Sequence, residues 1–496
     1  MKIKKILIAN RAEIAFRVLR TAKEMGIKVV CVYADDDIDL PYLKMADEIY
    51  SLGSGALKDT YLNQDKLIDI CKKSGANAVH PGYGFLSENT SFCENCEKNG
   101  IIFIGPTPDS IILMGDKIGS KREMEKYSVP MIPGYHGDNQ DEKFLEAEAK
   151  KIGFPVLIKA TAGGGGKGMR IVHKDSEFNE ALKMAKSEAL KSFSNDKVLL
   201  EKYIVNPRHI EVQLMSDTHG NHLHFYEREC SIQRRYQKII EETPAPNLSQ
   251  DLREKICKTA ADIAKNINYR GAGTVEFILA PDNKFYFLEM NTRLQVEHPI
   301  SEMVTGADLV KYQIIVACGE KLPLTQKDIT QRGHAIECRY YSEDPDSGFL
   351  PTAGTIQKVG KSTLLNVRLD CGYTDGNEVG VNYDPMVAKL ITYGANREES
   401  RLKMLKALNE ILFLGLKTNR SYLARVLAHP SFIEGNTHTH FLVQHANDLA
   451  RKPRDAKLYA ALSAALVLSN NSGEQFNLKN NSEQNVWLTL SNFRNV

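Results

Sequence analysis

Apolar positions recur in two different rhythms along the first hundred residues. KKILIAN is a short apolar run. From Arg11 to Lys23 the positions Ile14, Ala15, Val18 and Leu19 follow helical spacing, Gly26 closes the helix, and IKVVCVY reads as a second strand. Two further apolar runs, ANAVH and IIFIG, each end in a Gly- or Pro-containing loop, HPGYGFLSEN and GPTP. Strands alternating with helices, with loops at the strand ends, predict a doubly wound parallel-sheet domain over residues 1–113. No GxGxxG follows the first strand, so a dinucleotide fingerprint is absent.

Beyond this the rhythm changes. Residues 114–203 are rich in Lys and Glu and contain FPVLIKATAGGGGKGMRIV, which reads as strand, glycine loop and strand: a flap. Residues 204–330 hold strand patterns (HIEVQLMSD, THGNHLHFYERE, GAGTVEFILA, KFYFLEMN) and a helix near 251–268. Residues 334–445 begin with HAIECRYYSED, continue through short Gly-bounded strands and end in helices. Past 447 the chain is polar and Asn/Ser-rich apart from LYAALSAALVL. The fold class is α/β together with α+β.

A length of 496 residues suits about three domains. The net charge of +2 argues against nucleic acid or an anionic membrane as the main partner. Nine scattered cysteines form no metal framework; Cys93 and Cys96 alone have CxxC spacing and read as ordinary thiols on a helix. Such usage fits a reducing compartment. No apolar run approaches the ~18 residues of a membrane span, and Met1 leads within three residues into a strand-like run, not a signal peptide. The expected location is cytoplasmic.

Gly163, Gly164, Gly165, Gly166, Lys167 and Gly168 form one run. Glycines let backbone N–H groups close over phosphates. The P-loop pattern is not met: Lys167 is followed by Gly168, and the loop opens into a strand. Four consecutive glycines between strands are costly in conformational entropy for a passive surface loop. A mobile lid over phosphates accounts for them better, with Lys159 at the end of the preceding strand aimed at the same phosphates.

TVEFILA and KFYFLEMN flank Pro281, Asp282 and Asn283. A two-residue hairpin loop at Asp282-Asn283 would place Glu276 directly opposite Glu289, with Asn291 on the same face. Directly opposed like charges destabilise a sheet. Two carboxylates and an amide oxygen suit a hard divalent cation that carries phosphates. An exposed, solvated face is the plainer alternative, but the apolar neighbours Val275, Phe277, Phe287 and Leu288 oppose it. Downstream, Arg293, Gln295, Glu297 and His298 crowd into MNTRLQVEHPISE. Arg clamps planar oxyanions and a nearby carboxylate can remove a proton.

The blocks HPGYGFLSEN, KATAGGGGKGMR, ECSIQRRYQKIIEETPAP, GAGTVEFI, FLEMNTRLQVEHPISE and GHAIECRYYSED resemble, in order, the signature blocks of the biotin carboxylase family. They cover roughly nine-tenths of the chain. NTRLQVEH with QRRxQK sets this family apart from other ATP-grasp enzymes. The resemblance implies an ATP-grasp fold: an N-terminal doubly wound parallel-sheet domain, an ATP-grasp domain over 114–330 with a mobile glycine-rich lid at about 131–203, and a mixed C-terminal domain over 334–445. It also implies an activity, carboxylation of biotin at the expense of ATP and bicarbonate, with Mg2+ or Mn2+ as the metal and biotin presented on a carrier.

By the same resemblance, Lys117 and Lys159 would bind ATP phosphates under the lid Gly163–Gly168, which Met169 follows. Glu201, Lys202 and Ile204 would border adenine, His209 and Gln233 would reach the ribose side, and Tyr236 would belong to the nucleotide site. Glu276, Glu289 and Asn291 would hold metal. Lys238, Arg293, Gln295 and the Val296 backbone would hold bicarbonate, and Glu297 would be the base. Carboxyphosphate would form and break down to CO2 and phosphate. Arg339 would stabilise the biotin enolate, with Tyr83 near the biotin ring. The sequence departs from the family at Tyr236, where His is usual; Tyr cannot carry positive charge, so nucleotide affinity is open to change.

No Met-Lys-Met occurs, so the biotin carrier is expected on another chain or domain. DAKLYAALSAALVLSN is similar to the helix that follows the biotin carboxylase part in acyl-CoA carboxylase α subunits. Residues 447–496 are therefore expected to open a linker domain cut short; a free-standing subunit is the alternative. Expected partners are a biotin carboxyl carrier and a carboxyltransferase, in a homodimer or a larger carboxylase assembly. Two other readings stand beside this one: a different ATP-grasp ligase, and a nucleotide-binding scaffold without catalysis.

Overall fold

The structure, a computed structural model, describes residues 2–161, 169–193, 195–451 and 464. The glycine run 163–168 and most of the tail beyond 451, on which the lid and linker expectations fall, lie outside the described residues. Residues 1–449 form one compact unit.

Its first layer is a five-stranded parallel sheet in the order Glu48–Gly53, Lys28–Ala34, Lys5–Ile8, Ala78–His80, Ile102–Phe103. This is the doubly wound arrangement, and its crevice lies where the order reverses, at the C-terminal ends of the strands Lys5–Ile8 and Ala78–His80. Helix Ala12–Glu24 buries Ile14, Ala15, Val18 and Leu19. Helix Thr90–Lys98 is capped by Asn89, whose side chain accepts from Phe92 N at 2.9 Å, and it buries Cys93 and Cys96 as free thiols. The edge strand Glu48–Gly53 has no counterpart in the sequence reading. Only Leu52 in it is buried, so it lacks the apolar run that marked its neighbours.

The second layer is an eight-stranded antiparallel sheet. Its order is Phe285–Asn291, Gly271–Leu279, Arg208–Ser216, His222–Arg234, Gln237–Thr243, His334–Tyr341, Met386–Gly394, Val367–Cys371. The sheet runs without interruption across 330–334, because Gln237–Thr243 pairs with His334–Tyr341. Charged groups from both sides of that join thus share one buried sheet.

A third, four-stranded sheet (Gly134–Tyr135, Val198–Lys202, Val156–Ala160, Met169–Val172) packs with helices Glu142–Ile152 and Phe178–Phe193. Leu145, Val156, Ile158, Val172, Phe178, Leu182, Val198 and Leu200 give it a core of its own. The antiparallel pairing of Lys159 with Met169 brackets the glycine run, as a flap requires. Among the described residues no helix is long and apolar enough to cross a membrane.

Candidate active site

The hairpin Gly271–Leu279/Phe285–Asn291 sets Glu276 opposite Glu289. The loop is longer than the sequence pattern predicts. Ala280 N donates to Lys284 O at 2.8 Å and Asn283 N to Ala280 O at 2.9 Å, with Asn283 at φ 63°. This is a three-residue turn closed by a left-handed residue. It displaces the register by one near the turn, and an irregularity between Glu276 and Phe277 on this pairing restores it. Two departures cancel, and the carboxylates face each other as expected.

Glu276 is the hub of the site. Lys238 Nζ donates to its Oε1 at 3.0 Å, as do Asn291 Nδ2 and Gln295 Nε2, both at 2.8 Å. His209 Nε2 lies 2.8 Å from its Oε2. Burial pushes the Glu276 carboxyl up, but Lys238 and His209 outweigh it and hold the group well below the usual carboxylate range. Gln233 Nε2 is 2.7 Å from His209 Nδ1, so Gln233, His209 and Glu276 form a chain.

Sequence reasoning missed the next layer. Glu211 sits in register between Glu276 on one neighbouring strand and Arg228 on the other. Arg228 is wholly buried; it donates to Glu211 at 2.6 Å and to Gln213 and Gln295, each at 2.7 Å. The signal was present: HIEVQLM carries one Glu in an apolar strand, and a charge so placed needs a buried partner.

Glu297 immediately precedes the helix His298–Thr305, its side chain does not cap the helix, and it is 2% exposed. Its Oε1 accepts from Lys238 at 2.7 Å and its Oε2 from Arg339 at 3.0 Å. Burial raises the Glu297 carboxyl, yet Lys238, Arg339 and Arg228 together hold it well below its ordinary value. Arg339 also bonds Glu241 at 2.6 Å. Lys389, wholly buried and likewise missed, donates to the Val296 carbonyl at 2.9 Å. The half-buried Tyr83 ring lies 5.7 Å from the Lys389 ammonium.

Other expected residues are placed elsewhere. Arg293 turns to Glu88 in the HPGYGFLSEN segment, 2.9 Å away, and to Asn291 Oδ1 at 3.0 Å, not to Glu297. Lys159 and Lys121 both pair with buried Glu201. Lys202 donates to the Gly153 and Phe154 carbonyls at 2.8 and 2.9 Å. Ile204 and Met169 are half-buried. Lys117 opens the helix Lys117–Lys126, which Asp116 caps. Tyr236 stands 60% exposed at a hairpin tip.

Family models match nearly the whole compact unit: biotin carboxylase N-terminal domain over residues 2–111, carbamoyl-phosphate synthase L chain ATP-binding domain over 116–325, and biotin carboxylase C-terminal domain over 337–444. The biotin carboxylase of Haemophilus influenzae is 46% identical over 441 residues, covering 89% of this chain and 98% of the relative.

The chain belongs to the biotin carboxylase family.

The mitochondrial methylcrotonoyl-CoA carboxylase subunit alpha of Dictyostelium discoideum is 49% identical over 495 residues, 99% of this chain and 70% of that subunit. Across six such subunits this chain spans 61–70% of their length. The biotin carboxylase domain of Hydrogenobacter thermophilus 2-oxoglutarate carboxylase, solved as a dimer with MgADP, ADP and bicarbonate, superposes with a TM-score of 0.87 at 43% identity. It covers 91% of this chain and all of that one. The biotin carboxylase fold, ATP-grasp core included, is thus shared. Glu276 opposite Glu289, with the Asn291 amide alongside, suits a hard cation such as Mg2+, since Glu276 is kept ionised among hydrogen-bond donors.

Proposed function

We propose that this chain activates bicarbonate with ATP and carboxylates biotin presented by a carrier, with Glu297 as the base. The supporting observation is Glu297 held between Lys238 and Arg339 in a buried cluster that also contains Gln295 and Glu276. With both cations on it, Glu297 is a weak base. An entering bicarbonate competes for Lys238, and its own negative charge disfavours a second carboxylate nearby. Both effects raise the affinity of Glu297 for a proton when there is one to remove. The deprotonated oxygen then attacks the γ-phosphoryl group of ATP, and carboxyphosphate delivers CO2 to biotin.

Mg2+ or Mn2+ bound by Glu276, Glu289 and Asn291 would neutralise phosphate charge. Lys117 and Lys159 would add to that neutralisation, with Glu201, which already orients Lys159, at the adenine side beside Lys202 and Ile204. His209 and Gln233 would reach the ribose side, and Tyr236 and Met169 would belong to the nucleotide site. Arg293 would leave Glu88 to clamp bicarbonate with Gln295 and the Val296 backbone. Arg339 would stabilise the biotin enolate, with Tyr83 beside the ring. Gly163 to Gly168 would exclude water from the labile intermediate.

The carrier and a carboxyltransferase complete the assembly in this reading, and the methylcrotonoyl relatives suggest an acyl-CoA as final acceptor. The buried free thiols fit a reducing compartment such as the cytoplasm, although those relatives are named mitochondrial. Cell fractionation decides between the two.

ADP release from the purified chain with Mg-ATP, omitting bicarbonate and free biotin in turn, tests the activity. Release should require bicarbonate and rise with biotin. Release indifferent to both overturns the proposal.

A further inference from the structure

Behind Arg339 the sheet buries two more carboxylates. Glu241 and Glu337 are register partners on the adjacent strands Gln237–Thr243 and His334–Tyr341, and both are 0% exposed. Directly opposed side chains on neighbouring strands have Cβ atoms about 5 Å apart. Glu241 Oε1 accepts from Arg339, but among the described residues Glu241 Oε2 and both Glu337 oxygens have no hydrogen-bond partner. Arg339 is itself shared with Glu297. Lys389 on the next strand spends its ammonium on the Val296 carbonyl at 2.9 Å and on Glu13 at 3.2 Å.

Lys238 is taken up by Glu297, Glu211 and Glu276, so among the described residues Arg339 is the one cation hydrogen-bonded to the pair, and it is shared with Glu297. Two ionised, unsolvated carboxylates on opposed positions would be prohibitively costly. A proton on the pair removes that cost. We propose that Glu241 and Glu337 hold one proton between them, and that this proton keeps Arg339 shared between Glu241 and Glu297 instead of drawn wholly onto the pair. The positioning half rests on the proposed roles of Glu297 and Arg339 in the reaction.

The titratable and charged groups around the pair are Arg339, Tyr341 and, on the reverse face, Cys338 on the strand of Glu337, Lys238 on the strand of Glu241, Cys230 on the strand beyond that, and Lys389 on the strand next to Glu337. Glu297 and the buried His298 and Glu302 come from the helix packed on these strands, and Glu13 and Asp370 lie against Lys389. Burial drives Glu241 up to about 7 despite Arg339, and Glu337 well above its ordinary value despite Lys389. Both shifts favour a proton on the pair, and raising the pH removes it. Two carboxylates would then compete with Glu297 for Arg339, and turnover should fall.

Infrared spectroscopy of the full chain at pH 7 tests the proton without any need for turnover, so it stands apart from the role of Glu297. Wild type should show a carboxylic-acid C=O band that Glu337→Gln loses; Glu241→Gln is the second variant should that one fail to fold. The band unchanged in both variants overturns the shared proton. In parallel, the ratio of kcat at pH 7 to kcat at pH 9, read from bicarbonate-dependent ADP release, should shrink about threefold or more in Glu337→Gln with KM for ATP unmoved. A lost band with an unaltered ratio overturns the positioning of Arg339.

Discussion

Lys238 donates to Glu297 at 2.7 Å with the same ammonium that neutralises Glu211 at 2.5 Å and Glu276 at 3.0 Å. Burial disfavours the charged lysine, yet Glu211, Glu276 and Glu297 raise it well above its ordinary value, so it stays protonated at any working pH. Lys238→Met should strand three buried carboxylates. Breaking a buried pair from one side costs about 3–5 kcal/mol. Denaturant unfolding should register a loss of that order, together with loss of bicarbonate-dependent ADP release. A variant as stable as wild type would mean that Arg228 and His209 suffice to balance the cluster.

Glu297→Gln separates binding from chemistry. The amide still accepts from Lys238 or Arg339 through its oxygen but cannot take a proton. ATP affinity should stay within about threefold of wild type while kcat falls by about a hundredfold or more, the span of a general base. Isothermal titration with ATP and steady-state ADP release check the two halves. Wild-type turnover in this variant removes Glu297 as the base.

The opposition of Glu276 and Glu289 was readable in the sequence because a hairpin has few registers, but it holds only because the irregularity between Glu276 and Phe277 cancels the one-residue shift of the longer loop, which alone would have turned Glu289 to the other face. The parallel sheet was readable wherever strands were buried on both faces, and not at Glu48–Gly53, whose exposed edge leaves no apolar run. The Glu211–Arg228 pair and the Glu241–Glu337 pair were not readable. Both are made by partners 17 and 96 positions apart, and only strand order brings them together. Arg293 was assigned from its neighbours in sequence, but its guanidinium takes the carboxylate in reach, Glu88, which belongs to another layer.

Glu242 offers a pH test of stability. Arg397 grips it with Nε at 2.7 Å and Nη2 at 3.0 Å, and His334 Nε2 lies 2.8 Å away. Burial alone would raise its carboxyl, but His334 and Arg397 bring it down to about 2. A depressed carboxyl stabilises the fold above its unfolded value of about 4.5, and this stability is lost as pH falls toward 2. The displacement is worth on the order of 3 kcal/mol. Thermal unfolding from pH 6 to pH 3 should show a shallower decline in Glu242→Gln than in wild type, from a lower starting Tm. Parallel declines would show that His334 and Arg397 do not hold the carboxyl ionised.

The tip of the hairpin carrying Lys238 trades stability for position. Gln233 pairs with Lys238 and Arg234 with Gln237, leaving a two-residue turn in which Arg235 has φ 50° and Tyr236 φ 65°. Such turns favour Asn-Gly, and a side chain at positive φ costs roughly 1–2 kcal/mol. Tyr236 is 60% exposed, so burial offsets little of this. The hairpin is anchored behind the tip, where Arg234 bonds Glu343 at 2.6 Å and stacks 4.4 Å over Phe349. Backbone strain of this kind clusters at ligand-binding and catalytic sites. Replacing Arg235 by Asn and Tyr236 by Gly should therefore raise unfolding stability by about 1–3 kcal/mol while weakening ATP binding. Tyr236→His should leave stability unchanged and alter nucleotide affinity alone, since it keeps a ring at the same backbone angle. If the double variant gains no stability, the tip is unstrained. If it binds ATP as tightly as wild type, Tyr236 contributes nothing to the nucleotide site, and the departure from the family's histidine is without consequence.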